Sequence, residues 1–156
     1  MSVIDSAITG HDRDVVARVL QGALVDLVDV SLQAKQAHWN VTGRSFRSLH
    51  LQLDELVLIA RNHSDVVAER AAALGISPDG RVKTLAASLQ TPQLDSGYLH
   101  DEVVSKAISN LLLTVVRRFR AYVNETDSPD PVTQDLLISA TQELEQQHWM
   151  FQAMTR

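Results

Sequence analysis

The chain has no cysteine. That excludes a disulfide framework, a thiolate zinc site and a cysteine nucleophile, and it leaves His, Asp and Glu as the strong metal ligands. No stretch without charge is long enough for a membrane-spanning helix, which needs about 20 apolar residues. The opening residues MSVIDSAITGHDRD carry neither a basic nor an apolar segment of the kind a signal peptide needs, so the expected location is cytoplasmic. Lysine is scarce: Lys35, Lys83 and Lys106 are the only three, and none lies in a tail. Glycine and proline number six and four. The breakers that divide the long segments fall in three places: Gly43, the stretch 75–97, and DSPDP at 127–131.

Positive charge is missing where a duplex-DNA binder would need it. Lys+Arg total 14 against 19 Asp+Glu, a net charge of −5. Residues 1–14 set Asp5, Asp12 and Asp14 against Arg13, and residues 123–156 set six acids against Arg156 alone. A DNA-binding surface displaces counterions with a basic stripe, and neither end offers one.

What remains is a chain of 156 residues, 45% hydrophobic and 21% charged, enough for one domain with a substantial core. Between the breakers lie four segments too long for strands, read as helices over 13–39, 45–74, 98–126 and 131–154. Val16, Leu20, Ala23, Leu24, Leu27, Ser31 and Ala34 repeat at i, i+3, i+4, and Leu49, Leu53, Leu56, Ala60, Val67 and Leu74 form a comparable stripe. Asp130-Pro131 reads as an N-cap followed by proline at the first helical position. VKTLAAS, 82–88, predicts a short extra helix within the middle connection. The pattern predicts an all-α four-helix bundle over 13–156, preceded by a short non-basic tail, 1–12.

The second helix carries the chemistry. His50, Asp54, Asp65 and Glu69 fall within about 100° of arc on a helical wheel. Asp54 and Asp65 are nevertheless about 16 Å apart along the axis, so one ion cannot touch both pairs in one chain. The set divides into His50/Asp54 and Asp65/Glu69, each at i, i+4 spacing. Two copies running antiparallel about a two-fold axis near residues 59 and 60 would set His50 against Glu69 of the partner subunit, and Asp54 against Asp65 of the partner subunit. An isologous contact of that kind makes two identical sites per dimer. Imidazole and carboxylate donors suit Fe(II), Mn(II) or Zn(II), and His38 at the end of the first helix is a fifth candidate. The plainer alternative is a solvated helix face whose acids pair with Arg61 and Arg70.

KQAHWNVTG (35–43), Phe46, His50, Asp54 and the D-x-x-x-E-R of 65–70 together resemble the signature of the Dps family, the bacterial mini-ferritins. The resemblance covers nearly the whole chain. It implies a ferritin-like four-helix subunit, with a short helix in the middle connection, assembled into a hollow dodecamer. It further implies a ferroxidase centre shared by two chains, with His38, His50 and Asp54 from one and Asp65 and Glu69 from the other. The function so implied is oxidation of Fe(II), by hydrogen peroxide or oxygen, with ferric mineral stored inside. Trp39 is either an electron donor to that centre or a packed indole. Lys35, one turn earlier, either hydrogen-bonds a ligand or forms a salt bridge. Asp130 and Asp135 match the acids that line the family's three-fold pores, although capping explains Asp130 equally well; where a further pore acid is common, this chain has Ser139.

Seven residues outside this set are read as ordinary. His63 lies about 160° from Asp65 around the helix, a surface or packing position. Glu145 and His148 form a single Glu-x-x-His, and an in-bundle di-iron site needs two. Trp149 is expected in the core or an interface, and Arg117, Arg118 and Arg120 in subunit salt bridges. Two rival functions stay open. One is a DNA-coating protein of the nucleoid with iron binding secondary, disfavoured by the acidic ends. The other is a metal-stabilised oligomer without turnover.

Overall fold

A computed structural model describes residues 4–155. The chain forms α1 (Gly10–Asn40), β1 (Val41–Thr42), α2 (Phe46–Ala73), α3 (Val82–Ser88), β2 (Leu99–His100), α4 (Asp101–Thr126) and α5 (Pro131–Ala153). α1 packs chiefly along α2 and α4 along α5, and the two pairs close into a four-helix bundle. The expected apolar stripes meet inside it. Val16, Leu20, Leu27, Leu49, Leu53, Leu56, Phe119 and Phe151 are all buried.

The expected short helix occupies 82–88 as read, and the four long helices differ from expectation only at their ends. α1 starts at Gly10, inside the stretch read as a tail. Thr9 is extended before it, and Asp12 in the first turn suits the positive end of the helix dipole. Residues 1–3 of that tail lie outside the described residues. α4 starts at Asp101 rather than 98, because Leu99 and His100 pair in parallel with Val41 and Thr42. This two-residue ladder ties the end of the long connection to the end of α1.

Side-chain amides and one carboxylate hold the rest of that connection on α1. Gln21 exchanges hydrogen bonds with the backbone of Asp79. Gln33 donates to the Pro92 carbonyl and accepts from the Leu94 N–H. Asp29, 3% exposed, accepts from Gln33 at 2.8 Å and from Thr91 at 2.5 Å. Asp130 caps α5 by accepting from Val132 N–H.

Candidate metal centre

His38 in the last turn of α1 and His50 in the second turn of α2 are brought together by the turn 41–45. That turn depends on Gly43. Its φ is +120°, and a β-carbon there would stand 2.5 Å from the Asp101 carboxylate. Asp101 uses the space to accept the Ser45 N–H at 2.7 Å, which fixes the entry to α2.

The two imidazoles then stack, with ring centroids 3.6 Å apart and planes 19° from parallel. Each binds the other's backbone: His38 Nδ1 lies 2.8 Å from the His50 carbonyl, and His50 Nδ1 lies 2.9 Å from the His38 carbonyl. A carbonyl only accepts, so both Nδ1 atoms must carry the hydrogen. In the neutral rings both Nε2 atoms therefore keep their lone pairs, the tautomer a metal ligand needs. His38 is buried, His50 half-buried, and Phe46 lies against His50 at 5.0 Å between centroids.

Asp54 lies beside them, its Oδ1 3.4 Å from His38 Nδ1. Lys35 donates to the same oxygen at 2.6 Å, a hydrogen bond and a salt bridge to the candidate ligand in one contact. That hydrogen bond holds the Asp54 carboxyl below the ordinary carboxylate range; partial desolvation opposes the shift, and nearby His38 adds to it.

Asp65 and Glu69 are exposed, one turn apart. Neither Arg61 nor Arg70 pairs with them. Arg70 turns instead to α5, where it donates to Asp130 at 2.8 Å and to the Thr133 hydroxyl at 3.1 Å. Arg61 joins no ion pair among the described residues. Among the described residues no three metal-ligating side chains of one chain converge into a complete site. The chain thus presents two separate groups of candidate ligands, one at each end of α2, the first joined by His38 of α1.

The ferritin-like domain family matches residues 18–156. The chain is 35% identical over 141 residues to the DNA protection during starvation protein of Mycolicibacterium smegmatis, covering 88% of this chain and 75% of that one. The chain belongs to the Dps family. It is also 34% identical over 136 residues to DNA protection during starvation protein 2 of Deinococcus radiodurans, covering 87% of this chain but only 56% of that relative's length. The solved structure of Dps from Microbacterium arborescens in the high iron form superposes with a TM-score of 0.90 at 28% identity, covering 96% of this chain and 97% of that one.

Within this Dps-family fold the other residues singled out in the sequence differ in burial and in their partners. Trp149 is 62% exposed, so it is not core in the single chain. Arg118 pairs with Asp26 and Arg120 with Glu145, both within one chain rather than between subunits, because α4 lies against α1 and α5. His148 Nδ1 is 3.0 Å from the Ser109 carbonyl, so Glu145 and His148 are each engaged with α4. Trp39 is 65% exposed and lines a groove with Leu32 and Gln36 of α1 and Val82, Leu85 and Leu89 around α3. Asp130 is 5% exposed, whereas Asp135 is exposed. Burial pushes the Asp130 carboxyl upward, but the Thr133 hydroxyl, Arg70 and the Val132 N–H outweigh it and hold it below the ordinary range. The backbone carbonyls of His38 and His50 went unread in the sequence, since every residue has a carbonyl and only the fold aims these two.

Proposed function

We propose that this chain is the subunit of a cytoplasmic, hollow dodecameric cage that oxidises Fe(II) and stores the ferric product. The reciprocal hydrogen bonds between His38 and His50 carry the reading. They leave two imidazole nitrogens free as donors beside a carboxylate, a set suited to Fe(II), and they cost the fold no other partner. His38, His50 and Asp54 of one chain would meet Asp65 and Glu69 of a two-fold partner.

Surface chemistry supports that pairing. Leu51 and Leu58, 49% and 62% exposed, fall in the same arc of α2 as the candidate ligands. An apolar stripe interrupted by metal ligands is poorly suited to open water and well suited to contact with a second copy. The relatives' names mention DNA protection, and the Microbacterium structure is titled for its high iron form. Fe(II) is the substrate here. Two Fe(II) give one electron each to hydrogen peroxide; the O–O bond breaks, two protons are taken up, and two waters leave. Lys35 competes with the incoming cation for Asp54, and so keeps the empty carboxylate ionised and neutralised. Trp39, the residue after His38, would supply an electron when only one iron is bound. Asp135 is the stronger candidate for drawing cations through a pore, since the charge of Asp130 is already met by Arg70.

Anaerobic Fe(II)-loaded protein, titrated with hydrogen peroxide, tests the reading. The expected result is consumption near two Fe(II) per peroxide with soluble ferric product retained by the protein, and loss of both in His50→Ala/Asp54→Ala with the assembly intact. No acceleration over protein-free buffer overturns it. Binding to duplex DNA is expected to be weak or absent, because the ends carry acids; retardation of DNA at low micromolar protein and physiological salt would refute that part.

A further inference from the structure

His63 and Glu143 stand apart from the shared centre. His63 is on the flank of α2 turned away from Asp65, and it faces α5, where Glu143 Oε1 lies 3.4 Å from its Nε2. Their side chains are 13% and 47% exposed, so the imidazole is largely sheltered and the carboxylate is open to solvent. The contact is long for a hydrogen bond, whose N···O distance is usually about 2.9–3.0 Å. Neither side chain makes any hydrogen bond among the described residues. The other histidines packed between helices behave differently: His38, His50 and His148 each place Nδ1 within 3.0 Å of a carbonyl.

The 3.4 Å separation has a simple geometric meaning. Two ligands each about 2.1 Å from one tetrahedral ion stand about 3.4 Å apart, and imidazole nitrogen and carboxylate oxygen both bind zinc-like ions at about that length. We infer that His63 and Glu143 form a second cation site, built within one chain, for a borderline divalent ion such as Zn(II) or Fe(II). It has two protein ligands and leaves the remaining positions to water. A pair of ligands with open positions binds weakly and releases readily, which suits a staging point between the α2 and α5 surfaces rather than a redox centre. The nearest cation on the same stripe of α2, Arg70, is already committed to Asp130 and does not compete for Glu143.

The inference does not depend on the shared ferroxidase centre, and its test uses an ion without redox chemistry. Zinc is titrated calorimetrically into the full chain, into His63→Ala, and into Glu143→Gln. The same titration is run in a His50→Ala/Asp54→Ala background, which removes ligands of the shared centre only. The expected result is one zinc equivalent per chain lost in both His63→Ala and Glu143→Gln and retained in the background variant. Zinc anomalous scattering between residues 63 and 143 should locate it, and the metal-free thermal midpoints should stay close to that of the parent. A zinc count unchanged in either His63→Ala or Glu143→Gln overturns the site and leaves a loose ion pair. Loss of peroxide-linked oxidation in the background variant, with the zinc equivalent retained, separates the two readings.

Discussion

The two ends of α2 hold the same kinds of side chain in opposite conditions. At the N-terminal end, His50 and Asp54 are supported from every side: His38 stacks on one, Lys35 bonds the other, and the turn at Gly43 fixes the approach. At the C-terminal end Asp65 and Glu69 stand exposed with no ion-pair partner among the described residues; Arg70 is turned toward α5, and Arg61 joins no ion pair. One end is a preorganised cluster of candidate ligands, and the other is a pair of bare carboxylates. In the proposed shared centre, each copy would supply one prepared half and one reaching half, and the asymmetry fits that arrangement.

Complementation breaks or sharpens that contrast most strongly. His50→Ala/Asp54→Ala and Asp65→Ala/Glu69→Ala are each expected to lose peroxide-linked Fe(II) oxidation by about a hundredfold or more, from the loss of directly bonded ligands. Subunits of the two variants, unfolded and reassembled together in equal amounts, should recover about a quarter of parental activity. Half of the random two-fold pairs are mixed, and each mixed pair holds one intact centre of two. Absence of any recovery would mean that the ligands do not meet across subunits.

The bare end rests on the Arg70–Asp130 pair. Arg70→Met leaves a carboxylate 5% exposed without its cation, and the expected cost is about 3 kcal/mol, read as a lower thermal midpoint at fixed protein concentration. The pH dependence has a definite sign. Asp130 is held below the ordinary carboxylate range when folded, so its stabilisation is complete above about pH 4 and fades as pH falls through the lowered folded value. The parent should therefore lose more stability than Arg70→Met on acidification. Equal acid sensitivity would remove the pair from the account.

The prepared end is tested next by Gly43→Ala. The positive φ and the 2.5 Å approach to Asp101 make the substitution cost about 2 kcal/mol, with weaker Fe(II) binding as the turn shifts. Unchanged stability would show that the turn is not under constraint. The smallest effect is expected from Lys35→Met. Removing the ammonium lets the Asp54 carboxyl rise toward its ordinary range, so the acid limb of Fe(II) binding moves to higher pH. At neutral pH, where Asp54 is ionised in both proteins, the loss of a competing cation should tighten Fe(II) binding a few-fold. Calorimetric titration under anaerobic conditions at several pH values measures both, and a weaker neutral-pH affinity would contradict the competition.

Much of this molecule was legible without coordinates. The apolar repeats of α1 and α2 predicted their helices, because only the 3.6-residue period brings Leu49, Leu53 and Leu56 to one side. The separation of Asp54 from Asp65 is fixed by helical rise, so the division of the ligand set is a property of the sequence alone. So is the absence of thiolate chemistry. Charge was less legible. Arg61 and Arg70 were both near enough in sequence to neutralise the acids of α2, and which way a long side chain turns depends on what the neighbouring helix offers. The packing of α2 against α5 decided that for Arg70, and it also brought His63 to Glu143, 80 positions away. The tautomers of His38 and His50 were likewise settled only when the turn at Gly43 placed two carbonyls opposite two imidazoles. Periodicity and rise are local and repeat along one helix, whereas partners drawn from different helices exist only once the bundle has closed.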